Sequence, residues 1–253
     1  MARTGQPATR QVAAVQRAIA ILGELADARG ELGTNEIARR TGINVSTISR
    51  ILATLVSGGL VEHVTATGRY RLGVGVIRLA NAAGERLDVR SLARPHLEDI
   101  AGRVRETATL SVPGGHEAVT LDFVQSPLSV RSVAEVGRTS VAHATAVGKV
   151  FLAHGGTVPA GPLTAFTERT IVDHDVLRAE VERVREQGWG RGLGEREEDL
   201  NAVAVPVLDP GDPGGKLVAI LGVQGPAGRF RPRVMRSVVE LLMERAERIS
   251  SSL

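Results

Sequence analysis

Cysteine is absent from the 253 residues, so no disulfide, no thiolate nucleophile and no zinc site built on Cys can form. Aromatic residues are scarce at 2%, which leaves Ala, Val, Leu and Ile to fill the cores. No uninterrupted apolar run reaches the roughly eighteen residues that a membrane-spanning helix needs. The N-terminus, MARTGQPATRQ, is basic and lacks the apolar stretch of a secretory signal. A cytoplasmic protein with no membrane partner is the expectation.

Catalytic signatures are missing too. The six histidines, His63, His96, His116, His143, His154 and His174, show neither HxxxH nor HxH spacing for a metal. There is no GxSxG elbow, no Walker loop and no GxGxxG fingerprint. The alternate glycines of Gly188–Gly194 follow a helical pattern instead of a strand, so they are no nucleotide loop. Asp173 opens a helical stretch and reads as its cap, and His143 reads as a hydrogen-bonded core histidine. These absences predict no catalytic residue, no metal and no cofactor.

The charge is unevenly spread. Residues 1–86 hold 11 arginines against six acidic residues, whereas the remainder holds 20 basic and 22 acidic. A basic first third beside a near-neutral remainder fits a DNA-binding end joined to something else. The basic residues are nearly all Arg, which reflects coding bias before any preference for phosphate.

Residues 36–72, EIARRTGINVSTISRILATLVSGGLVEHVTATGRYRL, are the most informative stretch. Two short amphipathic helices meet at a Thr-Gly turn, and a Gly-Gly break and a Gly-centred hairpin follow. That order builds a winged helix-turn-helix, which places one helix in the DNA major groove. A helix before it carries Val15, Ile19, Leu22 and Leu25 at helical spacing, with Gly30 beyond its end. Thr34 is the expected cap of the second helix, which stops at Gly42, and the third runs from Val45 to Ser57. Strands are expected at Leu60–Val64 and Arg69–Leu72.

Projected at 100° per residue, the third helix sets Ile48, Ile51, Leu52 and Leu55 against Ser46, Arg50, Ala53 and Ser57. Thr47 and Thr54 lie on one flank and Ser49 on the other. Small hydroxylated side chains let a helix sit deep in a groove, and Arg50 suits a guanine edge or a phosphate. The same composition also suits an ordinary solvated helix; the turn and hairpin around it favour DNA. Arg69 and Arg71 on the hairpin would reach phosphate or the minor groove, or remain surface cations. Arg39 and Arg40 suit phosphates or the negative end of their own helix.

Beyond residue 90, strands are expected at Ala108–Val112, Ala118–Gln125, Ala202–Leu208 and Leu217–Val223. Helices are expected near Ser91–Val104, Ala144–His154, Val176–Gln187 and Arg233–Ile249. The fold class is therefore a two-domain α/β (α+β) chain. Its divisions are a tail at 1–10, a winged helix-turn-helix at 11–75, a linker helix at 76–90 and an effector-type α/β domain at 91–253.

With these residues in place, the chain resembles the IclR family of bacterial transcriptional regulators. The likeness runs through VQRAIAILGEL, INVSTISRILATLVSGGLVE and GRYRLG in the first third. It continues in VGRTSVAHATAVGK, EQGWGRGLGEREEDLNAVAVPV and LVAILGVQGPAGRF, covering residues 11–250. The resemblance implies a GAF-like C-terminal domain that binds a small organic acid and so modulates operator binding, most often as repression. It also implies a homodimer or homotetramer formed through the linker helix.

In the family, the turn matching Ala144–Lys149 opens a helix whose amides meet an anionic ligand. Helix N-termini favour carboxylates on physical grounds as well. The resemblance thus points to Thr145, Ala146, Val147 and Gly148 as effector contacts. Other walls are expected from Gly192, Glu195, Asn201, Ala202, Gly222 and Gln224. Gly222 and Gln224 stand where many relatives carry serines, and Ala202 where several carry cysteine. Fewer hydroxyls and thiols there point to a larger, partly apolar acid, even an aromatic one, over glyoxylate or pyruvate. Lys149 is expected in a surface salt bridge. Glu197, Glu198 and Asp199, with Glu195, form an acidic loop expected on the exterior near Arg191 and Arg196, and Trp189 should pack at a helix end. The competing function is a small-molecule-binding protein whose helix-turn-helix serves protein contacts.

Overall fold

A computed structural model describes residues 12–28, 30–82 and 85–253. It divides into two compact units, one ending at Gly84 and one beginning at Glu85. The tail expected at 1–10 lies outside the described residues, as do Ala83 and Gly84 within the expected linker helix. Among the described residues no helix is long and apolar enough to cross a membrane.

In the first unit, α1 (Ala13–Asp27), α2 (Thr34–Thr41) and α3 (Val45–Ser57) precede a hairpin of β1 (Val61–Val64) and β2 (Arg69–Leu72), then α4 (Gly75–Ala82). Ile21, Leu25, Leu32, Ile37, Ile48 and Leu52 close its core at 3% exposure or less. Gly42 ends α2 in the left-handed region (φ 69°), where its N–H bonds back to Ala38 O. Asn44 caps α3, its side chain accepting from Thr47 N at 2.8 Å. The cap of α2 is Gly33, with Thr34 already inside the helix, one residue from the expectation.

The stripe read on α1 is only partly buried. Leu25 is in the core, but Val15 and Ile19 are 55% and 63% exposed, and Ile21 takes the inner position. The helix carries two apolar stripes, and periodicity alone does not say which one the unit covers.

In the second unit, α5 (Glu85–Val104) leads into a six-stranded antiparallel sheet. Its members are β3 (Thr107–Pro113), β4 (Ala118–Val124), β5 (Thr139–Ser140), β6 (Gly190–Leu193), β7 (Leu200–Leu208) and β8 (Leu217–Pro226). Their order across the sheet is β5-β4-β3-β8-β7-β6. The helices α6 (Ala146–Ala153), α7 (His174–Gln187) and α8 (Pro232–Ser250) complete the unit.

Strand alternation gives each face its own core. Ala108, Leu110, Val203, Val205, Leu221 and Val223 pack with α5 and α8. Ala204 and Ile220 pack on the other face with Val150, Leu177 and Val181 of α6 and α7. β5 and β6 were not expected from the sequence. One is two residues long, and the other is GRGL, in which glycine suppresses the usual strand signal.

Candidate functional site

The helix α3 presents its polar side as expected. Ile48, Leu52 and Leu55 are buried, while Ser46, Ser49, Arg50, Ala53, Thr54 and Ser57 are exposed. Thr47 is half-buried. The hydroxyls of Ser46, Ser49 and Thr54 donate within the helix, to Asn44 Oδ1, Val45 O and Arg50 O, and keep their lone pairs for a partner.

The cations divide into two groups. Among the described residues Arg39 and Arg50 are exposed and have no hydrogen-bond or ion-pair partner. The other three predicted cations are tied to carboxylates. Arg40 meets Glu36 at 2.7 Å, and Arg69 meets the same carboxylate at 2.7 Å while bonding Glu31 O. Arg71 grips Glu62 through two 3.0 Å bonds and holds that carboxyl below its ordinary range. Sequence shows where charges fall but not which of them are already matched.

In the second unit, Thr145 caps α6. Its Oγ1 accepts from Gly148 N and donates to Val141 O, both at 2.9 Å. The hydroxyl is thus committed to the fold, while Ala146 and Val147, the first residues of the helix, line a cavity of about 90 Å³. Thr145, Ala146, Val147, Gly192, Glu195, Ala202 and Gln224 all line it.

Three predicted contacts do not line the cavity. Asn201 alternates with Ala202 and stands on the opposite face, where its Nδ2 donates to Phe230 O at 2.9 Å. Both neighbours in a strand cannot face one cavity. Gly222 lies beneath Thr109 and Val147, so that a Cβ there would meet Thr109 Oγ1 at 2.8 Å. Gly148 faces the preceding turn, where a Cβ would stand 2.5 Å from Val141 O and 2.6 Å from Ala142 Cα. Gly148→Ala is therefore expected to cost about 1–3 kcal/mol by overpacking, read as a lower midpoint in urea unfolding.

The expected surface bridge of Lys149 is also corrected. Its side chain is 1% exposed, and Nζ meets Glu195 at 2.7 Å, Arg191 O at 3.0 Å and Glu180 at 3.4 Å. Glu195 is buried with it, its carbonyl accepting from Thr170 Oγ1 at 2.6 Å. Only the rest of the acidic loop, Glu197 to Asp199, is exposed. A lysine one turn inside a helix reads as surface until the partner, 46 residues away in sequence, is placed beside it.

The cavity is not short of hydroxyls, contrary to the inference from Ala202, Gly222 and Gln224. Thr109 and Ser111 of β3, Thr120 of β4, and Ser132, Thr139 and Ser140 all line it. The signal was in the sequence: TATLSV alternates polar and apolar residues on a strand whose two faces are both buried. Ser132 accepts from Gln224 Nε2 at 2.7 Å. Arg138 lines the cavity and meets Glu197 at 3.3 Å, and Arg196 lies 4.0 Å over the Phe166 ring. Nearby, His143 is buried, with Nε2 3.0 Å from Thr164 O.

Comparison with known proteins agrees with this geometry. The IclR helix-turn-helix domain matches residues 14–65, and the C-terminal domain of the bacterial transcriptional regulator IclR matches residues 81–251. The HTH-type transcriptional repressor AllR of Salmonella typhi is 30% identical, with 99% of this chain and 96% of that protein covered. An IclR transcriptional regulator from a Silicibacter species superposes with a TM-score of 0.80 at 28% identity, covering 94% of this chain and 95% of that one. An IclR homologue from Microbacterium hydrocarbonoxydans, in complex with 4-hydroxybenzoate, superposes at 0.77 with 26% identity, covering 94% and 98%. The helix-turn-helix, the antiparallel sheet with helices on both faces and the full-length matches lead to one conclusion: the chain belongs to the IclR family of bacterial transcriptional regulators.

Proposed function

We propose that this regulator represses its target genes by docking α3 in the major groove of an operator, and that a small organic acid in the α6 cavity modulates the docking. The observation that carries the DNA half is Arg50, exposed on the polar face of α3 and without a partner among the described residues. Ser46, Thr47, Ser49 and Thr54 flank it as acceptors and spacers, and Arg39 reaches phosphate. Arg40, Arg69 and Arg71 contact DNA by exchanging a carboxylate for a phosphate.

The last point is testable. Glu62→Gln releases Arg71 from its bidentate partner and removes a negative charge from the wing. Operator affinity is expected to rise, because Arg71 no longer has to leave a carboxylate before it meets phosphate. A log–log salt titration against wild type checks it.

The acid half rests on Ala146 and Val147, which open α6 at its positive end and line the cavity. The complex of the Microbacterium homologue with 4-hydroxybenzoate supports a hydroxylated organic acid as the ligand class. The domains divide as a DNA-binding unit at 11–75, a linker at 76–90 and an effector unit at 91–253. A homodimer or homotetramer is supported by Val12 at the start of α1, Val15 and Ile19 on α1, and Ile77 and Leu79 on α4, all more than half exposed. Exposed apolar side chains of this kind suit contact with a second copy.

The experiment adds small carboxylates to the preformed protein–operator complex and follows anisotropy. At least one is expected to shift the operator Kd in the native protein and not in Gly192→Val, whose side chain fills the space before Ala146 N. No shift from any acid would overturn the acid reading.

A further inference from the structure

The charges around the α6 cavity are already matched, and several of its hydroxyls are not. Glu195 is held by Lys149, Arg138 by Glu197, and Arg196 by the face of Phe166. By contrast, Thr109, Ser111, Thr120, Thr139 and Ser140 line the cavity with no side-chain hydrogen-bond partner among the described residues. Ser111 is the sharpest case. It is 1% exposed, and its Oγ is buried without any partner.

A buried hydroxyl left unpaired costs free energy, so its retention on the floor of a cavity marks a partner that is not part of the chain. Three such groups from β3 and β4, Thr109, Ser111 and Thr120, with the more open Thr139 and Ser140 of β5 at the rim, surround a space that could hold several waters, or one small molecule of roughly three to six carbons. A hydroxyl both donates and accepts, and an array of them is matched by another array of hydroxyls. An alkyl or plain aromatic body would bury them unsatisfied.

Resting on the effector reading above, we infer that the ligand is a polyhydroxylated carbon chain. Its vicinal hydroxyls pair with Ser111, Thr109 and Thr120 on the sheet and with Thr139 and Ser140 at the rim. A carboxylate, where the ligand has one, meets the amides of Ala146 and Val147. A sugar acid and a neutral polyol share the chemistry that the hydroxyls read, and only the sugar acid uses the helix end.

The test is calorimetric titration of the full chain with gluconate, xylitol, adipate and 4-hydroxybenzoate. Gluconate or xylitol is expected to bind most tightly, with gluconate ahead if the α6 amides take a carboxylate and the two equal if they do not. Ser111→Ala combined with Thr120→Val, both close to isosteric, is expected to weaken that binding by about tenfold. The thermal midpoint of the double variant is compared first, so that a folding defect is not read as lost binding. If the pair lowers it, Ser111→Ala alone is expected to weaken binding about threefold.

Adipate or 4-hydroxybenzoate binding as tightly as the hydroxylated compounds would overturn the inference. So would unchanged affinity in the variants. If adipate alone binds, and Gly192→Val abolishes it, the effector reading stands and the polyhydroxyl inference fails. Silence from all four compounds would contradict both.

Discussion

Replacing Lys149 with Met is expected to destabilise the C-terminal unit by about 3–5 kcal/mol, the usual cost of breaking a buried ion pair from one side. The side chain is 1% exposed, and its Nζ serves Glu195, Glu180 and Arg191 O together. Glu180 keeps a second partner, Arg183, after the change. Among the described residues Glu195 then retains only the distant Leu193 N at 3.4 Å, too far to replace the ammonium. Urea unfolding should show the loss directly, and the thermal midpoint should fall by roughly 10 °C for a chain of this size.

The double variant Lys149→Met with Glu195→Gln removes the stranded charge and is expected to recover at least half of the loss. A single variant as stable as the native protein would mean that Glu195 is solvated after all. The pair also bears on function, because Glu195 lines the cavity. Neutralised by Lys149, it repels an anion at the neighbouring α6 terminus far less than a bare carboxylate would.

Arg50→Ala is expected to weaken operator binding by about 5- to 150-fold, which is roughly 1–3 kcal/mol for a bidentate guanine contact. Arg50 is well placed for such an effect because no carboxylate among the described residues competes for it. A guanine reader and a phosphate clamp separate cleanly. Loss of a reader relaxes preference at one base pair. Loss of a clamp weakens all sequences alike and reduces the salt slope by about one phosphate. Retained affinity with unchanged base preference would show that Arg50 does neither.

The elements with a strong period were legible in the sequence. α3 ends where Gly58-Gly59 stops it, and the buried Ile48, Leu52 and Leu55 follow the projected face. β7 and β8 carry continuous apolar runs, and both appear within a few residues of expectation. Of the ten effector contacts that the resemblance implied, seven line the cavity, and they are a minority of its walls.

Two of the differences come from side-chain partners that only the fold sets side by side. Lys149 looked like a surface residue until Glu195 was beside it, and Arg71 looked available until Glu62 was opposite it. The resemblance implies both Asn201 and Ala202 as cavity walls, but alternation along β7 lets only Ala202 face it. The hydroxyl floor comes from β3 and β4, far in sequence from Ala202, Gly222 and Gln224. The polar alternation of Thr107, Thr109 and Ser111 on β3 carried the missing information.

The most direct test of the central claim is fluorescence anisotropy of the purified protein on DNA from upstream of its own gene, against a scrambled duplex, titrated across salt. Tight, sequence-selective binding is expected, weakening with a log–log slope near −0.9 for each phosphate neutralised. Equal binding to both duplexes, or binding indifferent to salt, would contradict operator recognition through α3 and move the helix-turn-helix to protein contacts.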